Sequence, residues 1–530
     1  MTESNSGSSR GWRPRAAILA WMCSGIFAGG GSFAFGFLTS ESHDPPRQAM
    51  AQPAASPAAD FYLTPYRPPA PTARRGGFRP PRLLFQQQPF NVEPRRLRSD
   101  DPEFNPKRSL GTVALQVTAT NALTWAVDRY VFGYSWARVG VSSWKKNFQL
   151  GCVWDIDTFN MNFFFHPYSG GASFNAARAG GYGYLESVPL ALLGSLMWEY
   201  LGETNQPAYN DVINTTISGA LFGEILYRLS SLLLDDRTTG AERFFREFGA
   251  MILSPGRAVS RLLQGEMTRI TAKEIYQKEP LNVTLTAGAH VFNKGTSFFT
   301  GSLSSNFDIH LDYGNPFEIR PRKPFDFFKL RTDLSFGKSI GGRYLDNFIG
   351  YGLLFGKTIR TGNLDVLLGA FQHYNYWDSK IFRISTMAFG GGVVGKWHLP
   401  GKSNVQAVFH LGLIPLGASD SPHIDFLEEG VHVRNYDYSG GVEAKLEATL
   451  NLLDRGQVTA IYYAYSLHTY VGPPGYKNVA VFKPRVAVRL TGNVSLGFEY
   501  LFYHKDSFYR DIPDEHKGNS EQKLYLLLYF

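Results

Sequence analysis

Six ionisable residues lie within one stretch of the sequence and could together do chemistry: His166, Glu199, Glu203, Asp211, Glu224 and Arg228. Glu199 and Glu203 are four residues apart, so in a helix both carboxylates lie on one face. Like charges at that spacing repel each other mildly unless a cation lies between them. Imidazole and carboxylate groups together form acid/base pairs and many metal sites. The stretch therefore predicts either a metal site or an acid/base pair, unless the residues serve the structure alone.

The structural alternative is a buried polar network that joins helices to each other or to the rim of a barrel. Glu224 and Arg228 are four residues apart, in the order that favours an ion pair along a helix. In such a network Arg228 pairs with Glu224. Asn210 or Asp211 caps the helix that follows, and His166 bonds a backbone carbonyl. We favour this interpretation of the residues.

No local motif selects a reaction. The sequence holds no HExxH, GxSxG, P-loop, Rossmann or CxxC pattern. Ser195 follows Gly194 but lacks the second glycine of a nucleophile elbow. We therefore predict no metal and no cofactor, leave open whether the protein is an enzyme, and keep the six residues as candidates for catalysis.

Two long helices must position these side chains. Apolar residues recur at three- and four-residue spacing from about Tyr184 to Leu201 and from about Asn210 to Leu234, which is the helical period. Residues 205–207 separate the two segments, so we predict an antiparallel helical hairpin. That hairpin brings Glu199 close to Asp211.

Further helices are expected around the hairpin, over Ser109–Tyr130, Glu242–Ile252 and Pro255–Leu263. Residues 136–165 are aromatic and of mixed character. Gly219 and Gly223 form a GxxxG motif, which allows a second helix to approach closely.

The same block resembles a known family. His166-Pro167-Tyr168, the run WEYLGE at 198–203, Asn210-Asp211, and Gly223-Glu224 with Arg228 follow one another in this order. The pattern is similar to an uncharacterised bacterial domain of unknown function, in which such a block precedes a membrane barrel. The resemblance covers about residues 120–265. It implies a barrel after the block, and it implies no established activity.

The last part of the chain alternates between apolar and polar residues. In Val442–Leu450 every second residue is apolar, so one face of a strand is apolar and the other is charged. We predict about twelve strands of membrane-spanning length from about Leu281 onward, separated by polar loops such as Ser419–Arg434 and Lys505–Gln522. The strands centre near Ala287, Ser302, Leu330, Leu353, Val366, Gly391, Val408, Leu446, Tyr462, Val488, Phe498 and Leu526.

Composition agrees with a transmembrane barrel. Hydrophobic residues make up 44% and aromatic residues 15% of the chain, which contains 54 Gly. The mean hydropathy is -0.19, too polar for a bundle of membrane helices. Aromatic girdles and a polar lumen are typical of outer membrane barrels. A large soluble β-protein is the remaining alternative. The net charge of +8 comes with no nucleic-acid-binding motif.

The amino-terminal part is expected to be an export signal followed by a linker. Arg10, Arg13 and Arg15 precede an apolar run, which is typical of a secretory signal, although an uncleaved anchor is also open. Pro and Arg dominate residues 40–108, which predicts an extended linker.

We therefore expect an α+β chain with four parts: a signal peptide or anchor (1–39), a Pro/Arg-rich linker (40–108), a helical module (109–275) and an antiparallel outer-membrane β-barrel of about twelve strands (276–530). The module should lie at the periplasmic mouth or plug the lumen. The expected place is the outer membrane of a Gram-negative bacterium. The expected partners are membrane lipid and, through the strand that ends at Phe530, the barrel-assembly machinery.

Two functions remain open at this point. The first is a structural or transport role for a small or amphiphilic ligand. The second is an enzyme of the outer membrane that acts on lipid or cell-wall substrates through the His/carboxylate cluster. The His/carboxylate cluster distinguishes the two functions, since a catalytic site needs an open cleft and a group with a perturbed pKa.

Overall fold

A computed structural model describes residues 105–294, 298–319, 323–337, 344–424, 426–428, 431–452 and 455–530. The expected signal or anchor (1–39) and nearly all of the expected linker (40–108) lie outside the described residues.

The described part begins with seven α-helices, which we call the helical block together with their short connections. They are α1 (Leu110–Val127), α2 (Val141–Leu150), α3 (His166–Ala179), α4 (Tyr184–Met197), α5 (Tyr209–Leu233), α6 (Gly240–Leu253) and α7 (Pro255–Leu263). Turns of π-helix extend this set at Asp128–Phe132, Met161–Phe165 and Trp198–Gly202, and a 3-10 turn covers Glu266–Thr268. Among the helices described, none is both long and apolar enough to cross a membrane.

The predicted helical hairpin is present as α4 and α5, but α5 packs most closely on a helix that the sequence analysis did not predict. This helix, α3, is rich in glycine and alanine and lacks an apolar period. A Cβ atom on Gly170 would collide with the backbone carbonyl of Thr215, and one on Gly219 would meet the backbone of Gly170. The GxxxG motif therefore works as predicted, with α3 as its partner.

The strands form a closed antiparallel barrel of twelve within the described residues. They are β1 (Leu281–Lys294), β2 (Ser302–Tyr313), β3 (Phe328–Phe336), β4 (Leu345–Thr361), β5 (Leu364–Asp378), β6 (Arg383–His398), β7 (Asn404–Asp420), β10 (Tyr436–Leu452), β11 (Gly456–Val471), β12 (Gly475–Thr491), β13 (Val494–Tyr509) and β14 (Glu515–Tyr529). A small hairpin of β8 (Phe426–Glu428) and β9 (Val431–Arg434) precedes β10. Strand β14 pairs with β1, which closes the wall.

Each of the twelve predicted strand centres falls within a different strand of the barrel. The predicted loop Lys505–Gln522 is wrong, because β13 runs to Tyr509 and β14 begins at Glu515, with Lys505 paired to Lys517. The predicted loop Ser419–Arg434 contains the β8–β9 hairpin. Between 505 and 522, Lys505, Ser507 and Glu521 are buried strand residues, whereas Asp506 and His516 pair with each other on the exposed side.

The two faces of the barrel wall have opposite character. In β7, Leu411 and Leu413 are 53% and 69% exposed, whereas the neighbouring His410 is 1% exposed. In β10, Val442 is 48% exposed and the neighbouring Glu443 only 3%. Successive side chains of a strand point to opposite faces, so the exposed apolar residues point outward and the buried polar residues point into the lumen.

Ion pairs cross the lumen. Lys329 of β3 reaches Glu447 of β10 at 3.2 Å, and Lys523 of β14 reaches Asp333 of β3 at 3.1 Å. Neither pair joins strands that are neighbours in the wall. The lumen is therefore filled by its own side chains instead of forming a wide channel.

The helical block packs on the outer wall of the barrel, which differs from the expected mouth or plug position. Along β5, Leu364 and Leu368 are exposed on the outward face. Tyr374 and Tyr376 belong to the same alternating row, yet they are 1% and 2% exposed. Their cover comes from the helical block, since the ring centroid of Phe222 in α5 lies 5.0 Å from that of Tyr374.

The same contact surface extends over neighbouring strands. Outward-facing residues of β2–β7 and β10 share one hydrophobic core with helical residues. Phe348 of β4 stacks on Phe222 with ring centroids 4.4 Å apart, and Phe163 lies against Tyr436 at 5.7 Å. The sequence does not reveal this arrangement, because an outward apolar row has the same pattern whether lipid or a helix covers it.

Candidate functional site

Short segments of the helical block converge where it meets the barrel at β10. Val153 and Ala208 form an isolated parallel bridge, in which the amide of Val153 donates to Pro207 at 2.8 Å and that of Tyr209 to Val153 at 2.8 Å. This bridge holds the loop before α3 against the start of α5. The π-turn after α4 ends beside it.

Four of the six predicted residues come together at this junction, and two acidic residues that the sequence analysis missed join them. We call the set Asp155, Asp157, His166, Glu199, Glu203 and Asp211 the acidic cluster. The missed pair lies in the aromatic stretch 136–165, and an Asp-x-Asp spacing shortly before His166 was the available signal.

Glu199 lies at the buried centre of the junction, with 1% of its surface exposed. Its Oε2 atom accepts a hydrogen bond of 2.8 Å from the amide of Ala208. Burial raises the pKa of Glu199 to about 8, and the carboxylates of Asp155 and Asp157 contribute to the rise. Near neutral pH this carboxyl group therefore carries a proton.

Glu203 departs from the predicted geometry, because the helix ends in a π-turn at Gly202 and Glu203 has an extended backbone. Burial and the nearby Glu199 carboxylate raise the pKa of Glu203 well above its usual range. The two residues thus interact electrostatically without sharing a regular helical face.

Asp211 and His166 face each other, with Nε2 of His166 lying 3.7 Å from Oδ1 of Asp211. Nδ2 of the Asn210 side chain donates to the same oxygen of Asp211 at 2.8 Å. Burial and Asp155 raise the pKa of Asp211 well above its usual range, while burial lowers the pKa of His166. The expected cap on α5 is wrong, since its N-cap residue is Ala208, whose side chain cannot cap the helix.

Asp155 is held from several directions. Its Oδ1 atom accepts hydrogen bonds from Nδ2 of Asn162 at 2.6 Å, the hydroxyl of Tyr438 at 2.8 Å and Nδ2 of Asn210 at 3.2 Å. Arg434 donates to the backbone oxygen of Asp155 at 3.3 Å. The barrel wall therefore fixes the position of this carboxylate directly.

A small polar cavity opens next to the cluster. It has room for about one water molecule and is lined by Asn121, His166, Ser169, Ser173, Gly194, Ser195, Trp198, Glu199 and Thr215. Within the described residues, Oγ of Ser195 and Oγ1 of Thr215 are buried without a hydrogen-bond partner. The cavity suits a water molecule or an ion.

The other two predicted residues, Glu224 and Arg228, form a separate network. Glu224 accepts from Nε of Arg228 at 2.8 Å, as the sequence predicted, and also from Nε of Arg178 at 2.7 Å. Arg228 continues to the backbone oxygen of Pro324 at 2.7 Å and to Asp326 at 3.4 Å, in the segment between β2 and β3. This network joins α3, α5 and the barrel.

The charges in this second network balance. Burial alone would raise the pKa of Glu224, but the guanidinium groups of Arg178 and Arg228 hold that pKa below its usual range. Paired in this way, Glu224 stays ionised. The arrangement matches the structural alternative of the sequence analysis.

Two groups of three residues within the described part could hold a metal ion. Ligand atoms of Asp155, Asp157 and His166 lie within 4.8 Å of one another, as do those of Asp308, His310 and Asp333 in the lumen. Lys523 lies 3.1 Å from Asp333 and 3.7 Å from Asp308, so the lumen group already has a cation beside it.

Part of the helical block is similar to a known protein family. Residues 151–256 match the family described as Domain of unknown function (DUF3943). The match spans α3–α6 and includes the acidic cluster and the helical members of the second network, Arg178, Glu224 and Arg228. No curated protein matches the chain.

The barrel is similar to solved outer membrane proteins. An outer membrane channel from Pseudomonas putida F1 is 10% identical, with a TM-score of 0.26 over 47% of this chain and 95% of that chain. The outer membrane channel DcaP of Acinetobacter baumannii is 8% identical, with a TM-score of 0.23 over 47% of this chain and 96% of that chain. The NanC porin is 10% identical, with a TM-score of 0.23 over 47% of this chain and 100% of that chain. The chain thus joins a segment similar to a domain of unknown function to a closed twelve-stranded barrel.

Proposed function

We propose that the protein is an integral barrel of the Gram-negative outer membrane with a structural or transport role, and that it holds the helical block against its outer wall. The small or amphiphilic ligand that it serves binds at the helical block, and no solute passes through the lumen. The observation that carries this proposal is the polarity of the barrel wall, whose outer face is apolar and whose lumen is filled with ion pairs.

The outward faces of the uncovered strands support a lipid environment. Val488 in β12 is 54% exposed, and Leu446 in β10, Leu524 and Leu526 in β14 are each exposed by about half. A soluble β-protein would bury such rows in a core, whereas a transmembrane barrel turns them toward lipid. The exposed Leu524, Leu526 and terminal Phe530 also form the surface that the barrel-assembly machinery would meet.

The helical block has an apolar outer surface of its own. Leu115 in α1, Leu185 in α4, and Phe244 and Phe245 in α6 are 62–72% exposed. Monomeric soluble proteins rarely expose so many large apolar side chains together. An amphiphile or the acyl chains of lipid would cover this surface while the polar interior of the block binds a small polar group.

Heat-modifiability on a gel, after outer membrane fractionation, tests the membrane location. The folded wild-type protein should resist SDS until it is boiled, and a variant lacking residues 523–530 should lose that resistance because β14 then loses seven of its eleven residue pairs with β1. The matched control deletes residues 510–513, which lie between β13 and β14, and should keep the resistance. A soluble wild-type protein with no gel shift would refute the barrel.

Conductance in planar bilayers tests the filled lumen. The wild-type protein should show no sustained open-channel current, since Lys329–Glu447 and Lys523–Asp333 cross the interior. Replacing Lys329 and Lys523 with serine should increase the current. A steady porin-like current from the wild type would mean that the lumen, and not the helical block, carries the ligand.

An enzyme is the second candidate, and the cavity beside His166 favours it. The unpaired hydroxyl of Ser195 and the carboxyl of Glu199 line that cavity together with the imidazole. This candidate acts on lipid or cell-wall substrates. Hydrolysis of purified phospholipid or peptidoglycan by the wild type, lost in Glu199→Gln and retained in Glu242→Gln on the surface, would support it.

A further inference from the structure

We propose that Asp155, Asp157 and His166 bind a divalent cation of the first transition row, such as Zn²⁺ or Mn²⁺, at the junction of the helical block with the barrel wall. The proposal does not depend on the role of the barrel.

The donor set fits such an ion. Carboxylate oxygen suits Mn²⁺, imidazole nitrogen suits Zn²⁺, and both ions accept a mixture of the two. The three ligand atoms lie within 4.8 Å of one another. Donors bound to one ion at about 2.1 Å lie at most about 4.2 Å apart, so the three ligand atoms are spaced on the scale that a single ion needs. All three side chains are partly exposed, which leaves a path for the ion to enter.

The residues around Asp155 hold its carboxylate in one orientation, as hydrogen-bond donors do around the ligands of metal sites. Asn162, Asn210 and Tyr438 all donate to Oδ1 of Asp155, and this leaves Oδ2 for an ion. Hydrogen bonds of this kind fix the orientation of a metal-binding carboxylate. Tyr438 belongs to the barrel, so the wall contributes to the geometry of the site.

A bound cation would stabilise the ionised form of the carboxyl groups around these three ligands. Glu199, Glu203 and Asp211 have no Lys or Arg partner among the described residues. Five carboxyl groups therefore lie around one imidazole. The lumen group of Asp308, His310 and Asp333 shows the contrast, because Lys523 occupies the position that a cation would take there.

Unpaired polar atoms point independently to a missing partner. Asn162 is 1% exposed, and its amide nitrogen bonds Asp155 while its Oδ1 atom has no hydrogen-bond partner. Ser195, 2% exposed, leaves its hydroxyl unpaired in the cavity that His166 lines. Buried polar atoms are nearly always paired. Water bound to an ion at this site would supply a partner for Asn162, which already bonds Asp155.

Metal binding to the full chain in detergent tests the proposal. The protein is stripped with a chelator and titrated separately with Zn²⁺, Mn²⁺, Ca²⁺ and Mg²⁺ by calorimetry. We expect one equivalent of Zn²⁺ or Mn²⁺ to bind, with at least a tenfold preference over Mg²⁺. Asp155→Asn, Asp157→Asn and His166→Gln should each weaken binding at least tenfold. His398→Gln is the matched control, because His398 pairs with Asp365 at 2.9 Å outside the cluster and should leave binding unchanged.

A spectroscopic measurement on the wild type tests the proposal even if a variant fails to fold. Co²⁺ added to the stripped protein should give a visible absorption band that Zn²⁺ abolishes. Absence of the band together with absence of calorimetric binding would overturn the proposal. Equal binding by wild type and the three variants would also overturn it, since the ion would then lie elsewhere. A heat-modifiable barrel without metal binding would leave the proposed membrane role intact.

Discussion

The hydroxyl of Tyr438 donates a hydrogen bond of 2.8 Å to Oδ1 of Asp155, so a strand of the barrel wall contacts the acidic cluster directly. Asn162 donates to the same hydroxyl at 2.8 Å. The tyrosine therefore serves as both donor and acceptor between the two parts of the chain.

Tyr438→Phe should loosen the helical block without opening the barrel. The change removes one of the hydrogen bonds to the carboxylate of Asp155 and one of those from the buried amide of Asn162, which costs about 1–3 kcal/mol. The helical circular dichroism signal should melt at a lower temperature, while heat-modifiability on the gel is retained. Tyr462→Phe is the control, because Tyr462 is 43% exposed on the outer wall. Equal melting of the two variants would contradict the role given to the hydroxyl.

Glu224→Gln should destabilise the docking of α3 and α5 on the barrel. The change leaves the buried guanidinium groups of Arg178 and Arg228 without their shared carboxylate, and breaking a buried pair costs about 3–5 kcal/mol. Thermal unfolding followed by the helical circular dichroism signal measures this loss of stability. The control Glu242→Gln removes a surface pair with Arg246, which lies at 2.8 Å, and should change stability by less than about 0.5 kcal/mol. A similar, small effect of both changes would show that the network is not needed.

Stability of the helical block should fall as the pH rises from 5 to 9 in the presence of a chelator. Glu199 has a pKa of about 8 in the folded chain against a reference value of 4.5. The folded state therefore holds the extra proton between these values, and this contribution is fully present below pH 4.5 and lost as the pH rises through 8. Melting temperatures measured across this range should show the decline, and Glu199→Gln should flatten it. An unchanged slope in that variant would assign the effect to another group.

Gly170→Ala should separate α3 from α5. The added Cβ atom has no room against the backbone of Thr215, and overpacking of this kind costs about 1–3 kcal/mol. Gly111→Ala in α1 is the matched control, since no atom lies within 4 Å of the position its Cβ would take. It should be neutral or slightly stabilising. Helical melting temperatures that fall for both variants would show a general intolerance of alanine.

The sequence predicted the barrel well, because the alternation of apolar and polar residues is a local property. The row Val442, Ala444, Leu446 reveals a strand without knowledge of its neighbours. The polar ends of strands were harder to predict. Residues 505–509 resemble a loop unless it is known that the lumen of the barrel is charged. Helix α3 was missed because its glycines and alanines are placed for contact with α5 and do not form an apolar stripe.

The site was predicted only in part for a related reason. Spacing brought Glu199 and Asp211 together correctly, since both lie at the joint of one hairpin. Asp155 and Asp157 lie in an irregular loop whose path is set by the bridge between Val153 and Ala208, and such a path has no periodic signal. The position of the block on the outer wall depends on strands that follow it by more than 100 residues, as the bond between Asn162 and Tyr436 illustrates.

The helices cover β2–β7 and β10, and this leaves the meeting line of β1 and β14 open along most of its outer side. A barrel that closes by joining its first and last strands meets no obstacle there from the helical block. The block precedes every strand in the chain, so it can dock on the early strands during assembly and still permit closure. Because the helices precede the strands, they are available to cover β2–β7 before β1 and β14 meet.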